Sequence, residues 1–366
     1  MSPILLTPGP LTTRPETRQA MLRDWGSRDD SFIALTAELR QRLLALANGQ
    51  ETHAAVPLQG SGTFIVEAAI GTMVAPSDKL LVLINGAYGE RIAAIARRLG
   101  RKTETLCWEE HQPVDPARVE QALRADPSIT QVALVHCETT TGLLNPLEAV
   151  AGCVAACGKR LLVDAMSSFG ALPIDFARLP VAAVMASSNK CLEGAPGLGF
   201  ALIEKNLLAA AKGNSPSLCL DLHEQWRGFE NNGQWRFTPP VQVVAALVEA
   251  LRLLEAEGGP AARLARYRQN CAILVDGMER LGYRLFLDPA LQAPIIASFH
   301  YPNDRSFSFE GFYRGLAQRG FLIYPGKLSR AETFRIGCIG AVGPADFERL
   351  LAAVGDITKE GGRAAG

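Results

Sequence analysis

The sequence has no long apolar run and no excess of charge of either sign. Its apolar stretches fall well short of the about 20 residues that cross a bilayer. No basic segment followed by an apolar run opens the chain, so we expect no secretory signal and a cytoplasmic protein. The 37 basic and 37 acidic side chains balance, which leaves no footprint for nucleic acid or an acidic membrane surface.

The eight cysteines are too few for a disulfide scaffold in a chain of 366 residues. Cys153 and Cys157 stand four residues apart, but no second pair has the spacing of a metal site. We therefore expect reduced thiols and no metal. With 48% apolar residues the chain has the composition of a folded globular protein, and its length favours roughly two domains.

Short apolar strands alternate with helical segments over the first two thirds of the chain. Strands that are apolar throughout are buried on both faces, which is typical of a mainly parallel sheet covered by helices. In such a sheet the ligand site lies at the carboxyl ends of the strands. The predicted strands are 54–58, 80–84, 132–135, 161–163, 181–186 and 198–203, and the predicted helices between and after them include 64–74, 88–99, 115–125, 146–157, 241–256 and 261–281.

The pattern changes after Pro240, and an α+β segment follows the two long helices. We predict an N-terminal segment, residues 1–20, that contributes to the mouth of the active site. A large domain, residues 21–265, would hold the cofactor, and a smaller α+β domain would cover residues 266–366.

Three strand ends carry polar residues. The first is Gln59-Gly-Ser-Gly-Thr63, which opens a helix and fits either a phosphate cradle or a plain capped turn. The second is Asp164, which is either an N-cap or a carboxylate that meets a cation. The third is Lys190, before a Gly/Pro-rich turn, which is either a surface lysine or a Schiff-base lysine. Together they meet the needs of pyridoxal 5′-phosphate: a lysine for its aldehyde, an aspartate for its ring nitrogen and a cradle for its phosphate.

The chain resembles class V, fold-type I pyridoxal-phosphate aminotransferases along nearly its whole length. This resemblance rests on the segments 5–13, 58–62, 85–89, 136–142, 163–170, 187–190, 234–238 and 334–337. It implies a mainly parallel seven-stranded sheet, a homodimer with shared active sites, and pyridoxal 5′-phosphate as cofactor. Segments 5–13, 136–142 and 234–238 are similar to those of members that act on 2-aminoethylphosphonate and pyruvate.

The resemblance also implies residue roles. Lys190 would bind the cofactor aldehyde and act as the base, Asp164 would pair with the ring nitrogen, and Arg335 would bind the acid group of the substrate. The other implied cofactor-binding positions are Ser61, Gly62 and Thr63 at the phosphate, Asn189 near it, Tyr88 and Met166 on the two ring faces, Thr139 at the ring hydroxyl, and Thr238, which would reach the phosphate of the other subunit.

The expected reaction is transamination of 2-aminoethylphosphonate with pyruvate. Alanine–glyoxylate or serine–pyruvate transamination would use the same Lys190, Asp164 and Arg335. A non-catalytic phosphate-ligand binding protein would need no such lysine. Arg23 and Arg28 are either phosphonate ligands or surface charges, and His136 is expected to support the site without being catalytic.

Overall fold

The computed structural model describes residues 2–304, 307–325 and 331–364, with side chains described up to Lys359. The strands are β1 Ile4–Leu5, β2 His53–Gln59, β3 Lys79–Ile84, β4 Lys102–Cys107, β5 Ile129–Val135, β6 Cys137–Glu138, β7 Leu143–Leu144, β8 Arg160–Asp164, β9 Ala183–Ser187, β10 Leu198–Glu204, β11 Ile296–His300, β12 Phe321–Leu322, β13 Tyr324–Pro325 and β14 Thr333–Gly337. The α-helices are α1 Pro15–Gln19, α2 Asp30–Ala45, α3 Gly62–Met73, α4 Ala87–Arg98, α5 Pro116–Ala125, α6 Leu147–Ala156, α7 Lys205–Ala210, α8 Leu222–Asn232, α9 Val241–Glu257, α10 Gly259–Arg280, α11 Phe309–Gln318 and α12 Pro344–Ala364.

The central sheet has seven strands in the order β2-β10-β9-β8-β5-β3-β4. The five strands from β9 to β4 are parallel. Helices α4, α5 and α6 lie in three of the crossovers between them, and the residues 165–182, which include no helix, form the fourth. Strand β10 runs antiparallel to both of its neighbours, β2 and β9. Strands β2 and β9 therefore point the same way as the rest, and their carboxyl ends lie at one edge of the sheet.

Every strand of this sheet except the edge strand β4 contributes to two cores. In β3, Leu81 and Leu83 lie in the core that α2, α5, α6 and α9 cover. Leu80 and Val82 of the same strand lie in the core that α3, α4 and α8 cover. Burial on both faces explains why these strands are apolar throughout, and it confirms the predicted α/β class.

Edge strand β4 was absent from the predicted strands, because its residues Lys102–Cys107 alternate between exposed and half-buried and include charged side chains. Helices α2 and α5 each begin directly after an aspartate whose side chain caps them. Asp29 accepts from the backbone N–H of Ser31 at 3.0 Å, and Asp115 accepts from that of Ala117 at 2.9 Å. No helix of the described residues is both long enough and apolar enough to cross a membrane.

A separate antiparallel sheet, β11-β14-β13, lies towards the C-terminus. The N-terminal chain reaches it, since β1 pairs in parallel with β12 and the N–H of Gly337 donates to the carbonyl oxygen of Leu6 at 2.8 Å. The boundary predicted at residue 265 falls within α10, whose continuous helix joins the two regions. The division into domains stays a prediction.

Candidate active site

A cavity of about 340 Å³ lies at the carboxyl edge of the central sheet, where β2, β3, β8 and β9 end. It is lined by eight of the predicted site residues, namely Ser61, Gly62, Thr63, Tyr88, Asp164, Met166, Asn189 and Lys190. These residues come from four separate stretches of sequence, so the fold collects them at the position that parallel sheets favour for ligands. Their individual roles stay predictions.

Lys190 follows β9 and points towards the N-terminal segment. Its Nζ donates to the carbonyl oxygen of Pro8 at 3.1 Å. Gly9 lines the cavity next to it, and a Cβ there would lie 2.6 Å from the carbonyl oxygen of Asn189. The N-terminal segment therefore passes directly over the lysine.

The turn after Lys190 is fixed from behind by a buried ionic network. Glu193 has a left-handed backbone (φ 59°), and its N–H donates to the carbonyl oxygen of Lys190 at 2.8 Å. Its Oε1 accepts from Tyr267 Oη at 2.7 Å and from Arg266 Nη2 at 2.8 Å. Arg263 donates to the carbonyl oxygen of Cys191 at 2.7 Å. Charged partners hold a strained turn in one conformation, which fixes where the lysine leaves the backbone.

Asp164 ends β8 and is buried. Its Oδ1 accepts from the backbone N–H of Met166 at 3.0 Å, and no other described residue donates to the carboxylate. Burial raises the pKa of Asp164 to about 6, although the charges of Lys190 and Arg91 oppose the shift. A cationic N–H donor in the cavity would stabilise the ionised form of this carboxylate. The protonated ring nitrogen of pyridoxal phosphate is such a donor.

His136 supports the loop that carries Asp164. Its Nδ1 lies 3.0 Å from Oγ of Ser168, four residues beyond the aspartate. Its backbone N–H donates to the carbonyl oxygen of Asp164 at 2.9 Å. Burial lowers the pKa of His136 to about 4, so the ring is neutral at physiological pH. It does not line the cavity.

Ser61 is the N-cap residue of α3, and its side chain makes no capping hydrogen bond within the chain. Its hydroxyl and the first N–H groups of α3 are thus available to an anion at the positive end of the helix. Gly62 lies against the side chain of Met166, because a Cβ there would lie 2.8 Å from its Sδ. Both observations fit a phosphate cradle beside the cofactor ring.

Arg91 lines the same cavity, although the sequence analysis did not predict it as a site residue. It stands three residues after Tyr88 on α4, and its guanidinium lies 4.9 Å from the centre of that ring. Its Nη1 also donates to Oγ1 of Thr63 at 3.4 Å. The helical spacing of three residues was the signal that could have revealed it.

Arg335 lies in β14, is buried, and does not line the cavity. Its Nη1 donates to the carbonyl oxygen of Thr139 at 2.7 Å, and its Nη2 donates to that of Pro325 at 2.9 Å. Among the described residues it forms no ion pair, and burial lowers its pKa. Its guanidinium also lies 5.9 Å from the centre of the Tyr324 ring. A buried guanidinium that has no carboxylate partner among the described residues keeps its charge for an anionic ligand.

Other predicted residues lie elsewhere. Thr139 is buried and contributes its carbonyl oxygen to Arg335, not a cavity wall. Thr238 is exposed and does not line the cavity of its own chain. Arg23 and Arg28 are also exposed and outside the cavity, and Arg23 stacks on Trp25 at 3.9 Å.

Comparison with known proteins shows the family of the whole chain. A family model described as "Aminotransferase class-V" matches residues 17–317. A protein of Pseudomonas putida (strain W619) named 2-aminoethylphosphonate–pyruvate transaminase is 56% identical over 359 residues, which cover 98% of each chain. A protein of the same name from Pseudomonas fluorescens (strain Pf-5) is 57% identical and covers 98% of this chain and 97% of its own.

A solved structure, pyridoxamine–pyruvate aminotransferase from Mesorhizobium loti, superimposes with a TM-score of 0.90 at 26% identity. The match covers 99% of this chain and 93% of that one. Both the N-terminal and the C-terminal regions of the fold are therefore shared with an aminotransferase.

Proposed function

The chain belongs to the class-V aminotransferase family, and we propose that it transfers the amino group of 2-aminoethylphosphonate to pyruvate. The products are phosphonoacetaldehyde and L-alanine. One observation carries the choice of substrates: relatives with that printed name are 56% and 57% identical to this chain over nearly its whole length. The proposed cofactor is pyridoxal 5′-phosphate.

The residues that would hold this cofactor fit its three functional groups. Ser61, Gly62 and Thr63 provide hydroxyls and helix N–H groups for the phosphate. Asp164 provides a buried carboxylate for the ring nitrogen, and Lys190 an amine for the aldehyde. The remaining proposed contacts are Tyr88 and Met166 at the ring faces, Thr139 at the ring hydroxyl and Asn189 near the phosphate. When bound, the cofactor supplies an aldehyde that carries the amino group and a ring that accepts electrons.

Lys190 and Asp164 perform the proton chemistry. Nζ of Lys190 removes the proton from the substrate carbon that bears the amino group, and it holds that proton as an ammonium. The carboxylate of Asp164 keeps a proton on the ring nitrogen, because its own burial makes a cationic partner favourable. The carbonyl group of Pro8 gives the lysine a resting partner when it is free.

Arg335 binds the acid group of each substrate, a phosphonate in one half of the reaction and a carboxylate in the other. A planar guanidinium can present two parallel N–H donors to either anion. We also propose a homodimer in which the exposed Thr238 completes the phosphate site of the partner subunit. The exposed ring of its neighbour Phe237 is suited to such an interface.

A spectroscopic experiment on the purified enzyme with bound cofactor tests the substrate assignment. The protein is mixed in turn with 2-aminoethylphosphonate, L-alanine, L-serine and glycine, and loss of the visible cofactor band is followed. We expect conversion by the phosphonate and L-alanine alone. Conversion by L-serine or glycine without a response to the phosphonate would identify the glyoxylate or serine–pyruvate activity instead. A protein that binds no pyridoxal phosphate would contradict the cofactor assignment.

A further inference from the structure

The N-terminus of α4, which carries Tyr88, has no cap of its own. Its N-cap residue is Gly86, which has no side chain to accept the free N–H groups of the first turn. Two residues that are distant in sequence accept from these N–H groups instead. Oγ1 of Thr140 accepts from the N–H of Ala87 at 3.1 Å, and Oε2 of Glu138 accepts from the N–H of Gly89 at 3.4 Å.

Glu138 is completely buried, and the proposed reaction gives it no task. Its Oε1 accepts from the N–H of Thr140 at 3.1 Å and from the Thr140 hydroxyl at 2.5 Å. The hydroxyl of Thr140 thus donates one hydrogen bond to the carboxylate and accepts another from the N–H of Ala87. A buried carboxylate with several donors is costly to place, so its position is strictly defined.

Gly86 makes room for this carboxylate. A Cβ at that position would lie 2.4 Å from Cδ of Glu138 and 2.8 Å from its Oε1. Any side chain there would displace the carboxylate from the helix end. Gly86 therefore has two effects: it gives the first turn of α4 no local cap, and it leaves the space that the Glu138 carboxylate occupies.

The same loop holds Arg335. Thr139 stands between Glu138 and Thr140, and its carbonyl oxygen accepts from Nη1 of Arg335 at 2.7 Å. Tyr88, in turn, stands between the two capped residues of α4. One loop thus fixes both the residue predicted to stack on the cofactor and the residue predicted to bind the substrate anion.

We propose that Glu138 and Thr140 are positioning residues, which set the place of Tyr88 relative to Arg335. The inference rests on the proposed function for its effect on catalysis, but the cap itself can be measured without any reaction. Neither residue lines the cavity.

The key variants are Thr140→Val, which keeps the shape and removes the hydroxyl, and Thr140→Ser, which keeps the hydroxyl. Thr103→Val is the matched control, since the Thr103 hydroxyl bonds the carbonyl oxygen of Arg101 at 2.9 Å, away from the cavity. We expect Thr140→Val to raise the KM for 2-aminoethylphosphonate and for pyruvate about tenfold and to weaken the visible circular dichroism of the cofactor. Thr140→Ser should recover most of this loss.

Amide hydrogen exchange on the cofactor-free protein is the second readout. Thr140→Val should accelerate exchange in the first turn of α4, at residues 87–90, whereas Thr103→Val should not. A Thr140→Val protein with wild-type exchange, KM values and circular dichroism, and only a lower melting temperature, would overturn the inference. If wild-type protein does not convert the phosphonate, the proposed function fails, while exchange and the cofactor spectrum still decide the inference.

Discussion

Nζ of Lys190 donates to the carbonyl oxygen of Pro8 at 3.1 Å, across 182 positions of sequence. The contact joins the proposed catalytic amine to a segment that also hydrogen-bonds the C-terminal sheet, where Leu6 accepts from Gly337. The N-terminal segment thus contacts both the lysine and the strand that carries Arg335. Its geometry should matter for activity although none of its side chains is proposed to react.

Gly9→Ala tests this segment. Gly9 has φ +126°, and a Cβ would lie 2.6 Å from the carbonyl oxygen of Asn189 and 3.2 Å from Cγ of Lys190. We expect kcat to fall at least about tenfold, because the segment must move away from the lysine. Gly343→Ala is the control, since a Cβ there meets nothing within 4 Å. Equal rates for the two variants would show that the segment has no such influence.

Asp164→Asn removes the charge that we propose holds a proton on the ring nitrogen, but it keeps the side-chain shape. A hydrogen bond to a charged group contributes about 1.5–3 kcal/mol, so we expect kcat/KM to fall about 10- to 100-fold or more. The Kd of pyridoxal phosphate, measured by absorbance titration, should rise as well. Unchanged Kd and kcat/KM would argue against contact between Asp164 and the ring nitrogen.

Arg335→Lys keeps a positive charge and removes the fork of N–H donors. We expect the KM to rise about tenfold for both 2-aminoethylphosphonate and pyruvate, because a lysine binds each anion less directionally. Steady-state kinetics with each substrate varied in turn measures this. Arg118→Lys, at a guanidinium that stacks on Trp108 away from the cavity, is the control. A rise confined to one substrate would mean that the other acid group binds elsewhere.

His136 should make the protein less stable as the pH falls. Its pKa is lowered to about 4 in the folded protein, whereas the unfolded chain takes up the proton near 6.5. The unfolded state therefore binds more protons between these values, and the free energy of unfolding falls by up to about 1.4 kcal/mol per pH unit as the pH drops through that window.

His136→Asn should flatten this dependence, because an asparagine can keep the hydrogen bond to Ser168 without titrating. Urea unfolding at several pH values between 6.5 and about 4 measures the slope. Asp164 acts in the opposite sense, since burial raises its pKa to about 6, but it is present in both proteins and cancels in the comparison. His111→Asn, at an exposed histidine, is the matched control for the substitution itself.

Much of the fold followed from local patterns. The wholly apolar strands predicted a sheet covered on both faces, and the helical pattern over 115–125 predicted α5, which spans Pro116–Ala125. Strand β4 was not predicted, because it lies at the edge of the sheet and its residues are exposed or half-buried. Its sequence includes charged side chains and therefore has no apolar run. Eight of the predicted site residues line one cavity, since polar residues directly after parallel strands meet at one sheet edge.

By itself, the sequence determined the sheet class, and it predicted that residues 61–63, Asp164 and Lys190 meet at one edge of the sheet, because strand ends and helix starts are local features. Only the tertiary structure decided that Pro8 meets Lys190, and that Glu138 and Thr140 cap a helix 49 to 53 positions away. Those contacts join segments distant in sequence. They depend on how the chain returns to the same edge of the sheet, and no local pattern of residues carries that information.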